Sequence, residues 1–286
     1  MVQSDYQPLV DAALAEDLGE NGDVTSSALF SDDQMSATLV SKDTGVLAGA
    51  DVFAAVFRTV DPTTTVDLLV ADGARLQPGA RVATVRGAAV SVLAGERVAL
   101  NFLGYLSGIA TAARALVDEA ARGGRAVILD TRKTLPGYRA LSKYAVGVGG
   151  ATNHRMGLYD MVMLKDNHID RAGSITDAVA RVRSRWADRF RIEVECRTLD
   201  DVREAKSLGV DVIMLDNMSL DDMREAVAIC GGSPQLEASG NIDARTVRDV
   251  SATGVDFISS GAITHSVRSF DFSLQTGTAS AARVIA

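Results

Sequence analysis

The chain has 286 residues, 47% of them hydrophobic, with 29 Lys and Arg against 37 Asp and Glu and a net charge of −8. That is core enough for one large α/β domain or for a barrel with a smaller companion, and the acidic balance argues against a general nucleic-acid or membrane-surface binder. Eight acidic side chains and no Lys or Arg in the first 41 residues argue against a targeting signal. No consecutive apolar run nears the 18 residues that span a bilayer, and Cys196 and Cys230 suggest no disulfide framework, so a cytoplasmic protein with reduced thiols is expected.

Residues 7–18 read as a short amphipathic helix, with Val10, Ala13, Leu14 and Leu18 on one stripe and Gly19 to stop it. From Met35 to Gly87 the short runs SATLVS, GVLAG, VDLLVA and RVATVRG, separated by turn residues, predict a small antiparallel sheet. Residues 90–121 hold no proline and read as one long helix or two abutting ones. Val98, Phe102, Leu103, Leu106, Ile109 and Ala113 fill one face, with Leu100 and Tyr105 on others. An apolar girth of that width predicts burial between domains or subunits, and Glu96 and Arg97 are odd residues to find near its start.

After Gly124 strand and helix alternate. AVILD, MVMLK, RIEVE, DVIMLD, QLEA and DFISS are the strands, and residues 174–186, 199–207, 220–228 and 243–252 are helical. Such alternation means parallel strands with crossover helices. The strands end in polar residues, Asp130, Lys165, Glu195, Asp216, Glu237 and Ser260. In a parallel barrel these ends converge on one mouth, where active sites lie, so a barrel, complete or incomplete, is preferred to an open flat sheet.

The chemistry concentrates in residues 130–168, which carry six Lys and Arg against three Asp in an acidic chain; an anionic small molecule would account for that island. Arg132 and Lys133 follow a strand end and either hold anions or form a solvated pair. The run GVGGATNH, residues 147–154, is either a plain turn or a loop whose amides approach an anion beside His154 and Arg155. Lys165, in KDNH, is a Schiff-base former, an anion ligand or a lysine on the barrel rim. Glu195 and Asp216 bind a divalent cation through water, meet sugar hydroxyls, or act as acid and base. Ser239, Gly240 and Asn241 directly after one late strand, with Ser260 and Gly261 after the next and His265 a turn later, have the types and positions of a phosphate cradle.

The strings ER-x-x-LN, DTRKT-PG-R, KYAV-x-x-GG, NHR-x-GL-x-D, KDNH, EVE, LDN, E-x-SG-N and GA-x-T stand in one order along the chain. In that order they resemble the quinolinate phosphoribosyltransferases over essentially the full length. The resemblance implies an N-terminal α/β sandwich, residues 1–107 with the tail 268–286 returning to it, and an open, incomplete α/β barrel over 108–267. It also implies a homodimer in which Arg97 of one subunit completes its partner's site. Arg132, His154, Arg155 and Lys165 then look like the cradle for quinolinate's carboxylates. Lys133 looks like the pyrophosphate-side lysine. Glu195 and Asp216 resemble the carboxylates facing the ribose and Mg²⁺ of phosphoribosyl pyrophosphate (PRPP), with no residue assigned as a direct metal ligand. Lys133, Glu195 and Asp216 are the implied catalytic set, and Ser239, Gly240, Asn241, Ser260, Gly261 and His265 match the 5′-phosphate region. His168 is given no substrate to bind and is expected at most to support Lys165.

The sequence departs from the family at Gly147, Ala151 and Asn241, none of which carries a substrate charge. The implied reaction gives nicotinate mononucleotide, pyrophosphate and CO₂. Three other readings compete: a Schiff-base aldolase built on Lys165, a pyrophosphorylase-like protein of altered substrate, and a non-enzymatic nucleotide binder. The first leaves Arg97, Arg132 and Arg155 unemployed, the intact KDNH and NHR strings oppose the second, and the Glu195/Asp216 pair opposes the third.

Overall fold

The structure, a computed structural model, describes residues 2–276. They fall into two compact units. One comprises the chain up to Thr111, Ala140–Gly149 and the residues from Arg268 on; the other comprises Ala112–Arg139 and Gly150–Val267. The tail expected to return to the first unit lies outside the described residues from 277 onward.

In the first unit, helix α1 (Gln7–Leu18) ends at Gly19, whose φ of 52° suits glycine, and buries Val10 and Leu14. Helix α2 (Val24–Leu29) starts at Asp23, whose carboxylate accepts from the amides of Thr25 and Ser26. Strand β1 (Gln34–Ser41) and the short β2 (Gly45–Val46) follow. The chain then departs from the expected run of strands and forms helix α3 (Ala50–Val60). Val52, Phe53, Val56 and Phe57 are strand formers taken singly, yet their spacing puts them on one helical face, and all four are buried. The helix start is fixed from a distance, because the Asp72 carboxylate accepts from the amides of Gly49 at 2.8 Å and Ala50 at 3.0 Å. Of the next three strands, β3 (Thr65–Leu68), β4 (Arg75–Leu76) and β5 (Arg81–Ala88), β4 pairs with β2 as a separate two-stranded sheet, while β3 and β5 join β1 in the expected antiparallel sheet. Its fourth strand, Phe272–Thr276, comes from the far end of the chain and pairs with β1.

Helix α4 (Ala89–Gly123) is one continuous helix of 35 residues. The six apolar side chains predicted for one face are buried, and so is Leu100. By length and composition α4 could cross a membrane, which counting consecutive apolar residues does not reveal, but 61% of its most apolar window is buried inside the fold.

The second unit is built on parallel strands β6 (Val127–Leu129), β7 (Val162–Leu164), β8 (Ile192–Cys196), β9 (Val212–Asp216), β10 (Gln235–Ser239) and β11 (Phe257–Ser259). The order across the sheet is β6-β11-β10-β9-β8-β7, every neighbour parallel. Strands β6 and β7 are its two edges and do not pair with each other, so this is an open sheet, as expected of an incomplete barrel. Between β6 and β7 runs α5 (Arg139–Val148), most of which belongs to the first unit. It absorbs Gly147, so the glycine-rich loop is shorter than the sequence suggested.

The remaining helices are α6 (Asp166–Ala172), α7 (Ile175–Trp186), α8 (Leu199–Ser207), α9 (Leu220–Cys230), α10 (Val247–Ser251) and α11 (Ala262–His265). Three begin the same way. Ser174, Thr198 and Ser219 each accept from the amide of an Asp three residues on, Asp177, Asp201 and Asp222. Each such cap is worth about 1 kcal/mol, and the aspartate adds its charge to the positive helix end. The helix expected over 243–252 shortens to α10, leaving 240–246 as a loop.

Candidate active site

Successive side chains on a strand face opposite ways, and in this sheet the alternation separates core from cleft. Ile192, Val194 and Cys196 of β8, Ile213 and Leu215 of β9, and Leu236 and Ala238 of β10 are buried apolar residues. The opposite parity supplies Met163 and Lys165 at β7, Glu195 at β8, Met214 and Asp216 at β9, Glu237 and Ser239 at β10, and Ser259 at β11. All of these line one cleft of about 800 Å³.

The predicted residues gather in that cleft, with one exception. Arg132 and Lys133 come from the loop after β6, and His154 and Arg155 from the loop before β7. Ser260, Gly261 and His265 follow β11, and Gly240 and Asn241 follow β10. Arg97 is the exception: it lies on the part of α4 that belongs to the first unit and its side chain is exposed. Glu237, taken in the sequence as a strand end, sits inside β10 and is buried.

The charges are arranged by position in the sheet. Cations enter from the two edges: Arg132 and Lys133 beside β6, and Lys165 after β7. Carboxylates occupy β8 and β9, where Glu195 Oε2 lies 3.3 Å from Lys165 Nζ. Small polar residues occupy the ends of β10 and β11. Arg155 donates to the Met161 carbonyl at 3.1 Å and reaches the Met163 sulfur; burial and the neighbouring Arg132 charge lower its pKa. The Arg139 guanidinium ties the two cationic loops together, donating to Thr134 Oγ1, the Met156 carbonyl and the Arg132 carbonyl at 3.1–3.2 Å.

At the other end, Gly240 has φ 102°, and a Cβ there would sit 2.2 Å from Asn217 Oδ1, so only glycine fits. A Cβ on Gly261 would meet Lys133 Cδ at 2.8 Å and His265 Cδ2 at 2.9 Å, which puts those two side chains around one bare backbone. Thr264 Oγ1 donates to the Lys133 carbonyl at 2.8 Å and fixes that loop against α11. His168 gains a role: its Nδ1 accepts the Lys165 amide at 3.0 Å, capping α6 and setting the backbone from which Lys165 projects.

Sequence reasoning missed Asn217, Asp243 and Arg245, which line the cleft, and Glu193, which sits behind the lining. His154 Nε2 lies 3.0 Å from Glu193 Oε2 and 3.3 Å from Glu237 Oε2, and the ring is only 8% exposed. Burial opposes a charge on the ring, but the two carboxylates outweigh it and push His154 up to about 9. Burial likewise raises the Glu193 carboxyl, partly offset by His154. The signal was present in IEVE, where carboxylates at alternate positions must share a face.

Against this geometry the comparisons are specific. Residues 23–107 match the N-terminal domain of quinolinate phosphoribosyl transferase and residues 109–275 its C-terminal domain. The chain belongs to the quinolinate phosphoribosyltransferase family. Among curated family members, a probable carboxylating nicotinate-nucleotide pyrophosphorylase of Bacillus subtilis is 43% identical, covering 91% of this chain and 89% of its own. A chloroplastic carboxylating nicotinate-nucleotide pyrophosphorylase of Oryza sativa is 40% identical, over 98% of this chain and 80% of its own. Among solved structures of the family, NadC from Streptococcus pyogenes superposes with a TM-score of 0.93 at 41% identity, covering 96% of this chain and 97% of that one.

Proposed function

We propose that the cleft joins quinolinate to the phosphoribosyl group of PRPP, releasing pyrophosphate and CO₂ and giving nicotinate mononucleotide for de novo NAD biosynthesis. The observation that carries this reading is the order of groups around one mouth: cations from both sheet edges, carboxylates on β8 and β9, small polar residues after β10 and β11. A dicarboxylate and a phosphorylated sugar together use all three.

In this reading Arg132, Arg155 and Lys165 bind quinolinate, since forked and compact cations suit carboxylates; His154, expected among them, turns Nε2 to Glu193 and Glu237 and Nδ1 to the Arg155 amide and supports the cradle instead of contacting the substrate. Ser239, Gly240, Asn241, Ser260, Gly261 and His265 receive the 5′-phosphate. Lys133 neutralises charge developing on the departing pyrophosphate, while Glu195 and Asp216 favour the positive ribose ring of an oxocarbenium-like transition state. Mg²⁺ belongs to the substrate, entering on PRPP, and these two carboxylates are hard oxygen donors suited to facing it. Holding the pyridine nitrogen in line with C1′ is an entropic contribution. Loss of the C2 carboxylate as CO₂ then leaves its electron pair beside the newly positive nitrogen until a proton from solvent takes its place at C2, so no covalent enzyme intermediate is needed. The ion pair between Lys165 and Glu195 suits an anion ligand better than a Schiff-base nucleophile.

Arg97 is proposed to complete the site of a second copy, making the working form a homodimer; its exposed position on α4 supports this. A cytoplasmic setting is supported by Cys196 and Cys230, both free and buried. The test is quinolinate-dependent CO₂ release with PRPP and Mg²⁺. Lys165→Ala is expected to lower kcat/KM for quinolinate about 100-fold or more, the loss of a charge-assisted contact. Near-normal turnover would remove Lys165 from the site, and equal use of nicotinate would overturn the substrate assignment.

A further inference from the structure

The cationic cradle rests on acid. Glu193 and Glu237 are each 1% exposed, and each has one carboxylate oxygen, Oε1, with no hydrogen-bond partner among the described residues. Their other oxygens converge on one nitrogen of His154. In the neutral ring the remaining nitrogen, Nδ1, accepts the Arg155 amide at 2.6 Å, so Nε2 carries the proton that meets the carboxylates; a charged ring carries protons on both nitrogens and gives that amide bond up. Two ionised carboxylates and a neutral ring would place a charge of −2 beside a site read above as the seat of a dianion; one further proton within the trio reduces it to −1. Both residues that respond to that proton, His154 and Glu193, are shifted in the direction that retains it.

We infer that Glu193 and Glu237 are positioning residues of the transferase: by sharing a proton with His154 they anchor its ring and keep the acidic floor of the cleft from repelling the dicarboxylate substrate. This rests on the reading that Arg132, Arg155 and Lys165 receive quinolinate. The other charged groups around the ring are Asp130, which accepts the His154 amide at 2.8 Å, and the guanidinium of Arg155, whose charge also acts on Glu193. Arg132 acts in turn on Arg155.

The experiment measures kcat/KM for quinolinate from pH 6 to 10 in the wild type, E193Q and E237Q. In parallel, the ring nitrogens of the ¹⁵N-histidine-labelled protein are followed by NMR; with three histidines in the chain, assignment needs only H168Q and H265Q. In the wild type, His154 and the alkaline limb for quinolinate should both turn near pH 9. In E193Q both should move down by about one unit or more, the size of a lost neighbouring charge, while KM for PRPP stays within about twofold of wild type. Restoring the carboxylate as E193D should bring the limb back up, which a packing defect would not do.

A wild-type His154 that titrates near the ordinary histidine value overturns the inference. So does a quinolinate limb unmoved in both Gln variants. Should one Gln variant fail to fold, the other and the wild-type NMR still decide. Arg155→Ala separates the two readings. If it leaves KM for quinolinate unchanged, the cradle is misassigned; if it raises KM while the E193Q limb stays in place, only the proton-sharing role falls.

Discussion

His154 holds its proton more tightly in the folded chain than a free histidine does, because Glu193 and Glu237 outweigh the burial that opposes its charge. Folding therefore takes up a proton in the interval between about 6.5, the unfolded value, and about 9. The stabilisation is complete below the lower value and is lost as pH rises through the upper one. The raised Glu193 carboxyl acts in the same direction. Thermal melting of the wild type is expected to drop between pH 7 and 9.5, and His154→Gln should flatten that slope even if it lowers Tm throughout. Parallel slopes in the two proteins would show that the trio holds no extra proton. The histidines themselves were legible as chemical residues in the sequence. Glu193 was not, because a carboxylate inside a hydrophobic strand announces itself only once the strand's two faces are told apart.

The strands of the second unit and its helices α7, α8 and α9 could be read from sequence to within about two residues, because each strand is a short, mostly apolar run ended by a polar side chain and those helices open on Ser or Thr; α10 came out shorter than read, and α6 and α11 were not anticipated. Helix α3 escaped for the opposite reason: its start is capped by Asp72, 22 residues away from Ala50, and no local reading contains that bond. The last strand pairs with β1 across most of the chain, beyond any periodicity argument. Two helical glycines test how far local propensity decides. Gly147 in α5 has open space where a Cβ would go, so Gly147→Ala should be neutral or stabilise by up to about 1 kcal/mol. Gly123, the last residue of α4, would place a Cβ 2.0 Å from the Arg248 carbonyl oxygen. That backbone atom cannot swing aside, so Gly123→Ala should destabilise by about 1–3 kcal/mol despite the gain in helix propensity, about 2–5 °C in Tm for a chain of this length. Similar melting of the two variants would mean that the α4–α10 approach is looser than described.

At the scale of the whole molecule, the proposal makes the active site a property of two chains. Arg97 and the cleft residues fall in different units of the fold, and the proposed dimer has each Arg97 serve its partner. In an isologous pair the exchange is reciprocal, so two chains with different defects can complement each other. Arg97→Ala keeps an intact cleft and lacks the donated arginine; Lys165→Ala keeps the arginine and has a damaged cleft. Each alone should be nearly inactive. In a mixed dimer one cleft carries both defects, while the other, contributed by the Arg97→Ala chain, receives the arginine of the Lys165→Ala chain and is whole. With equal amounts and free subunit exchange about half the dimers are mixed, each with one whole site of two, so activity should recover to about a quarter of wild type. Recovery should follow the rate of subunit exchange and be abolished by crosslinking each homodimer before mixing. If the mixture stays as inactive as its components although exchange is complete, Arg97 acts within its own chain or not at all.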